Sequence, residues 1–178
     1  MTFEEKTISS EMLYKGKILN LRRDLVEVKD GGTSYREIIE HSGGVAVAAV
    51  TEDHQMLMVR QFRKAAEQDV LEIPAGRRET DEDPMFAAMR ELKEETGYSA
   101  RKISHLTSFY ATIGYCTEVI HVYMATGLTP GETDFDEHEA IEIESYPVEE
   151  LKQMIFDGEI IDGKTITAIL LVAAKLGL

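Results

Sequence analysis

The sequence has little of what extracellular, membrane-bound or nucleic-acid-binding proteins need. Its one cysteine, Cys116, cannot form an internal disulfide, which favours a cytoplasmic location. No apolar stretch is long enough to span a bilayer, and the acidic start of the chain does not have the pattern of a signal peptide. Basic residues are few, with 19 Lys and Arg against 33 Asp and Glu, a formal net charge of −14. This charge argues against binding to nucleic acids and to anionic membranes.

The remaining composition is that of an ordinary globular protein. A length of 178 residues with 43% hydrophobic residues suits one domain with a sizeable core. Alternating polar and apolar residues, or short apolar runs between turn signals, predict strands. These strands lie at residues 17–21, 24–28, 33–41, 44–50, 55–63, 70–76, 102–111, 119–125 and 141–144. Amphipathic helices are predicted at residues 148–157 and 165–178.

A short capped helix is predicted between Asp83 and Gly97. Asp83 suits the N-cap, Pro84 suits the first helical position, and Gly97 suits the left-handed position that ends a helix. We expect one apolar stripe of this helix to face the core. The stripe consists of Phe86, Met89 and Leu92.

Three carboxylates lie in the last turns of this helix. Glu91, Glu94 and Glu95 can share one face, where like charges repel and lie near the negative end of the helix dipole. Each effect costs a few tenths of a kcal/mol to about 1 kcal/mol, and Arg90 can pair with Glu94. One interpretation is a solvated acidic face. The other is a bound divalent cation, since Mg²⁺ takes carboxylate, phosphate and water oxygens.

The spacing around these glutamates favours the second interpretation. Gly76, Glu82, Arg90-Glu91-Leu92, Glu94-Glu95 and Gly97-Tyr98 match the Nudix box position for position. The box reads Gly, five residues, Glu, seven residues, Arg-Glu-aliphatic, one residue, Glu-Glu, one residue, Gly-hydrophobic. The chain therefore resembles a Nudix hydrolase.

The resemblance implies an α/β Nudix fold, in which a mixed β-sheet is sandwiched between α-helices. Most of the chain is similar to the ADP-ribose pyrophosphatase branch, which carries an N-terminal antiparallel strand extension. We expect residues 1–42 to form this extension and to serve in dimerisation, and residues 43–178 to form the hydrolase domain. In that branch a homodimer shares residues between its active sites.

The resemblance also implies metal ligands and a catalytic carboxylate. Mg²⁺ is expected, with Mn²⁺ possible. The ligands would be the backbone oxygen of Ala75 and the carboxylates of Glu91, Glu94 and Glu95, and Glu95 is also expected to be a catalytic residue. Glu82 and Arg90 are expected to form an ion pair that holds the preceding loop on the helix.

Arginines near the box are candidates for substrate binding. Arg60 and Arg63 resemble family arginines that contact the substrate diphosphate, for which a guanidinium fork is well suited. Glu72 and Gly76, in the Leu-Glu-Ile-Pro-Ala-Gly stretch, are also substrate-binding candidates. Arg36, in the N-terminal strands, completes the set. For the arginines the alternative is a solvent-facing charge.

The base that activates water is expected in an acidic loop. Residues 131–150 contain nine Asp or Glu and no Lys or Arg. In the ADP-ribose branch a loop here carries a glutamate that activates water. By position Glu137 is the first choice and Glu139 the second. The alternative is a solvated acidic loop.

The implied reaction is metal-dependent hydrolysis of a diphosphate bond in a nucleoside diphosphate linked to another group. The first candidate is conversion of ADP-ribose to AMP and ribose 5-phosphate. Ile113 departs from the branch, because it stands where a proline is often found in ADP-ribose hydrolases. Alternatives are a Nudix pyrophosphatase acting on a dinucleoside polyphosphate, a GDP-sugar or NADH, and a non-catalytic nucleotide-sugar sensor. The intact box argues against the sensor.

Overall fold

A computed structural model describes residues 3–79, 81–134 and 140–178. The elements in these ranges follow in chain order. They are β1 (Thr7–Lys15), β2 (Leu19–Glu27), β3 (Thr33–His41), β4 (Gly44–Ala49), β5 (Gln55–Arg63), β6 (Gln68–Glu72), β7 (Ala75–Arg77), α1 (Pro84–Thr96), β8 (Ser99–Tyr110), β9 (Val119–Thr129), β10 (Glu142–Pro147), α2 (Val148–Phe156) and α3 (Gly163–Leu176).

The chain divides into two compact units, and the first consists of Met1–Gly43 and Tyr110–Val119. It contains an antiparallel sheet in the order β1-β2-β3. The backbone N–H of Ile39 donates to the carbonyl of Tyr115 at 2.8 Å, which attaches the second segment to β3. The predicted stretches 17–21 and 24–28 form one strand, β2. All nine residues of β1 are exposed, so no burial pattern marks its boundaries in the sequence.

The second unit, Gly44–Phe109 and Ile120–Leu178, has the layered arrangement that was predicted. Its sheets have the orders β7-β4-β9-β8 and β10-β5-β6, and β4 runs parallel to β9 and antiparallel to β7. Alternate residues of β4 enter two different core clusters. One cluster contains residues of α2 and α3, and the other contains residues of α1. Helices therefore cover both faces of this mixed sheet, which confirms the α/β fold class.

The caps of α1 are those predicted, but its buried stripe is not. Asp83 accepts a hydrogen bond from the N–H of Met85, and the helix ends at Gly97 with φ 74°. Phe86 is 61% exposed and Met89 is 43% exposed, so the prediction that they face the core is wrong. The helix packs on the sheet through Ala87, Ala88 and Leu92 instead, because alanine lets a helix backbone approach a neighbouring surface closely.

The predicted strand 70–76 is two strands that belong to different sheets. β6 pairs with β5, whereas β7 pairs with β4. Between them Pro74 has no N–H to offer a ladder, and its carbonyl accepts a hydrogen bond from Val47 at 2.8 Å. The chain thus crosses from one sheet to the other just before Ala75 and Gly76.

The two C-terminal helices are close to their predicted positions. α3 begins two residues earlier than predicted because Asp162 caps it, accepting from the N–H of Thr165 at 3.0 Å. Within the described ranges, no helix has both the length and the apolar character needed to cross a membrane.

We predict that Gly97→Ala lowers the free energy of unfolding more than Gly177→Ala does. Both glycines end helices with similar left-handed φ, 74° and 75°, where a side chain costs about 1 kcal/mol. A Cβ on Gly97 would also lie 2.6 Å from the carbonyl oxygen of Gly131, whereas Gly177 faces open space. We therefore expect losses of about 3 and about 1 kcal/mol, measured by urea unfolding. Equal losses would show that the contact with Gly131 is unimportant.

Candidate active site

The carboxylates of α1 lie on its sheet-facing side and not on a solvated face. Glu91 is 9% exposed and Glu95 is 3% exposed, on the same stripe of the helix as Ala88 and Leu92. Glu94 lies beside them and is half-buried, with 35% of its side chain exposed. Removing a carboxylate from water costs several kcal/mol unless charge and hydrogen bonds compensate it. The interpretation as a solvated acidic face therefore does not describe Glu91 and Glu95.

Strand β7 lies directly against these carboxylates. The backbone N–H of Ala75 donates to Oε2 of Glu95 at 2.9 Å. At Gly76 an added Cβ would lie 2.1 Å from the carboxyl carbon of Glu91. The Glu91 carboxylate can keep this position only beside a glycine, since any side chain at position 76 would occupy the same space.

Arg90 organises the acidic groups around it. Its guanidinium contacts Glu82 through Nε and Nη2, at 3.1 and 3.0 Å, which confirms the predicted ion pair. Its Nη1 donates to both Glu91 and Glu94 at 2.8 Å, and its Nη2 donates to the carbonyl of Arg77 at 3.2 Å. The hydrogen bond to Glu82 is the largest cause that raises the pKa of Arg90, so the guanidinium is permanently charged.

The carboxylates of this site are the type of donor that a hard divalent cation prefers. Glu91, Glu94 and Glu95 offer carboxylate oxygens, and glycine at position 76 leaves room for one of these groups beside the strand. In the part of the chain that the structure describes, no three His, Cys, Asp or Glu side chains are grouped so that they could hold a metal ion. Arg90 already bonds Glu91 and Glu94, so a cation would compete with this guanidinium for their oxygens.

A second buried carboxylate, Glu72, lies at the end of β6. It is 2% exposed and accepts hydrogen bonds from Nε and Nη2 of Arg63 at 2.6 and 2.8 Å. Nζ of Lys164 also donates to it. Burial acts to raise the pKa of Glu72, but the bonds from Arg63 and Lys164 outweigh it and hold the pKa below the ordinary value. Glu72 is therefore ionised at neutral pH.

Sequence reasoning missed the residues of α3 that reach this carboxylate. Nζ of Lys164 also bonds Asp162 at 3.0 Å, and Asp162 accepts from the hydroxyl of Thr165 at 2.6 Å. The Thr165 oxygen in turn accepts from the backbone N–H of Ile73 at 3.0 Å. A signal was present in the sequence, because a lysine in the first turn of a helix is disfavoured by the helix dipole and calls for an explanation.

The two arginines predicted to act together are not brought together. Arg60 and Arg63 are three positions apart on β5, so regular alternation points them to opposite faces. Arg60 donates from Nε to Glu144 at 2.5 Å. The bonds to Glu72 raise the pKa of Arg63 despite its burial, and the charge of Glu95 adds to that effect. Of the two arginines, Arg63 is therefore the one that has both Glu72 and Glu95 in its surroundings.

Of the remaining predicted residues, one belongs to the first unit and two fall outside the described residues. Arg36 belongs to the first unit, where its Nε donates to Glu5 at 2.8 Å and its Nη1 to Ser34 at 3.0 Å. Glu137 and Glu139 fall outside the described ranges, so their role as base stays a prediction.

Comparison with known proteins gives two family matches that together span most of the chain. The NUDIX domain matches residues 40–168, and the nucleoside diphosphate sugar hydrolase N-terminal domain matches residues 5–39.

Individual proteins are similar over nearly the whole length. An ADP-ribose pyrophosphatase of Bacillus subtilis (strain 168) is 42% identical over 170 residues, which cover 94% of this chain and 92% of the relative. A methanol dehydrogenase activator of Bacillus methanolicus is 43% identical over 169 residues, covering 94% and 91%. The solved structure of an ADP compounds hydrolase has a TM-score of 0.88 at 20% identity, covering 99% of this chain and 96% of that chain. At this identity it shows the fold alone.

We predict that Gly76→Ala weakens cation binding without unfolding the protein. The new methyl group would displace the Glu91 carboxylate, which is the flexible end of a long side chain. We expect the free energy of unfolding to change by less than about 1 kcal/mol and Mn²⁺ affinity to fall about tenfold, measured by urea unfolding and by calorimetric titration. Gly163→Ala is the control, because a Cβ there meets nothing within 4 Å. Equal Mn²⁺ affinity in the two variants would contradict the role of Gly76.

We also predict that Glu72 makes stability depend on pH. Because the folded-state pKa lies below the ordinary 4.5, ionised Glu72 stabilises the fold above that pH. The contribution is lost as the pH falls through the lower folded-state value. The stability difference between wild type and Glu72→Gln should thus be largest near neutral pH and shrink below about pH 4.5, in urea unfolding at a series of pH values. A difference that is constant with pH would argue against an ionised Glu72.

Proposed function

The chain belongs to the Nudix hydrolase family, and we propose that it hydrolyses the diphosphate bond of ADP-ribose to give AMP and ribose 5-phosphate. The observation that carries this proposal is the burial of Glu91 and Glu95 against Ala75 and Gly76. Buried carboxylates at the end of a box helix are costly to the fold and useful to a metal-dependent hydrolase. The 42% identity to an ADP-ribose pyrophosphatase supports the choice of substrate.

Hydrolases of this family generally depend on divalent metals, and we propose Mg²⁺, with Mn²⁺ as the alternative. Glu91, Glu94, Glu95 and the backbone oxygen of Ala75 would hold the cations. Bound cations would neutralise the charge of the diphosphate and make a water molecule more acidic. Hydrogen bonds support the placement of two of these groups, because the N–H of Ala75 bonds Glu95 and Arg90 bonds Glu94.

Arg63 is the substrate-binding arginine with the best structural support. Its Nε and Nη2 are held by Glu72, and its Nη1 makes no hydrogen bond with the described residues. A guanidinium fixed on one edge can present its other edge to a phosphate oxygen with little loss of side-chain entropy. Arg60, held by Glu144, is the second candidate for contact with the substrate.

Proton removal from water needs a base near the diphosphate. We propose Glu137 for this role, with Glu139 as the second candidate, on the strength of their position in an acidic loop. A carboxylate in this role takes the proton as the oxygen of water attacks phosphorus, and the phosphoanhydride P–O bond to the leaving phosphate breaks.

A homodimer is proposed from the first unit. The unit carries several exposed large apolar side chains, a pattern common at protein interfaces. They include Ile8, Met12, Tyr14 and Tyr35. Residues 5–39 also match the N-terminal domain of nucleoside diphosphate sugar hydrolases. In the proposed division, residues 1–42 serve dimerisation and bring Arg36 to a partner's substrate, and residues 43–178 carry the chemistry. A cytoplasmic location is proposed from the single cysteine.

A nucleotide panel with Mg²⁺ or Mn²⁺ tests the proposal. It contains ADP-ribose, GDP-mannose, a dinucleoside polyphosphate and NADH, and products are identified by chromatography. We expect ADP-ribose to have the highest kcat/KM and to release AMP. A higher kcat/KM for another member would reassign the substrate within the family. Binding of ADP-ribose without release of AMP in either metal would favour a sensor.

In the same assay we predict that Glu95→Gln loses most of the turnover. The amide keeps the shape of the side chain but removes the charge that a cation needs, so kcat should fall by about a hundredfold or more. Thermal unfolding should show a folded protein. Glu150→Gln, on the exposed side of α2, is the control and should keep wild-type kinetics. A Glu95→Gln variant with most of its activity would rule out the metal assignment.

A further inference from the structure

Lys164 occupies a position at which a lysine destabilises a helix. It is the second residue of α3, near the positive end of the helix dipole, where a cation is disfavoured. Only 12% of its side chain is exposed, so its charge has also lost most of its water. Both costs are met by Glu72 and Asp162, whose carboxylates contact Nζ. The ion pairs with Glu72 and Asp162 therefore explain why a lysine is found at this position.

The contacts form a chain from α3 to Arg63, the arginine proposed to bind the substrate. Asp162 caps α3 and bonds Lys164, Lys164 bonds Glu72, and Glu72 bonds Arg63 through two nitrogens. Glu72 is the buried link, and Arg63 is the partly exposed end, with 41% of its side chain exposed.

Lys164 and Arg63 approach the same carboxylate. Nζ of Lys164 and Nη2 of Arg63 both donate to Oε2 of Glu72, while Nε of Arg63 donates to Oε1. Because Oε2 accepts from two cations and Oε1 accepts from a third donor group, the plane of the carboxylate is fixed. A bidentate pair is coplanar, so the plane of the Arg63 guanidinium is fixed as well.

We propose that Lys164 is a positioning residue, which orients Glu72 and through it the Arg63 guanidinium that binds the substrate diphosphate. This inference rests on the proposed function for its kinetic consequence, although the orientation of Arg63 does not depend on that function. Without Lys164, Glu72 keeps one cationic partner among the described residues, Arg63. Its carboxylate can then rotate and change the orientation of the guanidinium toward the substrate.

The kinetic test compares Lys164→Met with Thr165→Val. Thr165→Val also weakens the attachment of α3, because it removes the acceptor for Ile73 and the hydroxyl that donates to Asp162, but it leaves Lys164 and Arg63 as the charged partners of Glu72. We expect Lys164→Met to raise KM for ADP-ribose about tenfold with kcat changed less than about threefold, since binding of the diphosphate is weakened in ground and transition states alike. Thr165→Val should lower the melting temperature and leave KM unchanged.

Lys164→Arg should restore KM to within about threefold of wild type. Equal KM changes in the Met and Val variants would overturn the proposal.

A double-mutant cycle asks whether Lys164 acts through Arg63. Arg63→Lys keeps a cation beside Glu72, so the double variant with Lys164→Met retains one compensating charge and should fold. If Lys164 affects KM by orienting the Arg63 guanidinium, Lys164→Met changes KM by less than about twofold in the Arg63→Lys background. A full tenfold effect in that background would mean that Lys164 acts independently of Arg63.

A third measurement does not require activity. The Nε–H signal of Arg63 in nitrogen-15 NMR, assigned by its loss in Arg63→Lys, should exchange slowly with water because Nε is bonded to a buried carboxylate. Exchange should speed up about tenfold in Lys164→Met and remain slow in Thr165→Val. An unchanged rate in Lys164→Met would overturn the positioning role. If wild type hydrolyses no member of the panel, the proposed function fails while this measurement still decides the role of Lys164.

Discussion

Compensation of buried negative charge is the constraint on which the second unit depends. Three of its glutamates, Glu72, Glu91 and Glu95, are at most 9% exposed in a chain whose formal net charge is −14. Ionised carboxylates in such positions are tolerated only when hydrogen bonds and opposite charges replace water. Arg90 meets this need for Glu91, and Arg63 meets it for Glu72. Two of the basic residues of the unit, Arg63 and Arg90, thus compensate acidic groups of the proposed site.

The features that the sequence predicts well are local in sequence. The caps of α1, the Glu82–Arg90 pair and the shared face of Glu91 and Glu95 follow from helix geometry and spacing. Phe86 was placed wrongly because the apolar period defines a stripe without fixing which flank meets the sheet, and small alanines decided that contact. The link between Glu72 and Lys164 spans 92 positions, so no local pattern reveals it. Arg60 and Arg63 are grouped by their resemblance to family arginines, whereas strand alternation points them to opposite faces of β5.

The site is assembled where elements from both faces of the sheet meet one short segment. Ile73 and Pro74 connect β6 to β7, and the backbone of residues 73, 74 and 75 is hydrogen-bonded to a different neighbour at each position. Thr165 of α3 accepts from Ile73, Val47 of β4 donates to Pro74, and Glu95 of α1 accepts from Ala75. The two helices pack in different core clusters. The crossing segment therefore joins the charge network of Glu72 to the carboxylates of the box helix.

This crossing has a consequence for how the chain tolerates insertions and deletions. Adding or removing one residue between Ile73 and Ala75 would shift β7 against β4 and would separate at least one of the three hydrogen bonds from its partner. A buried backbone group that loses its partner costs free energy comparable to a lost hydrogen bond. Relatives with this fold should accordingly vary in length at exposed turns such as the one around Asp53 and keep the two-residue connection between β6 and β7.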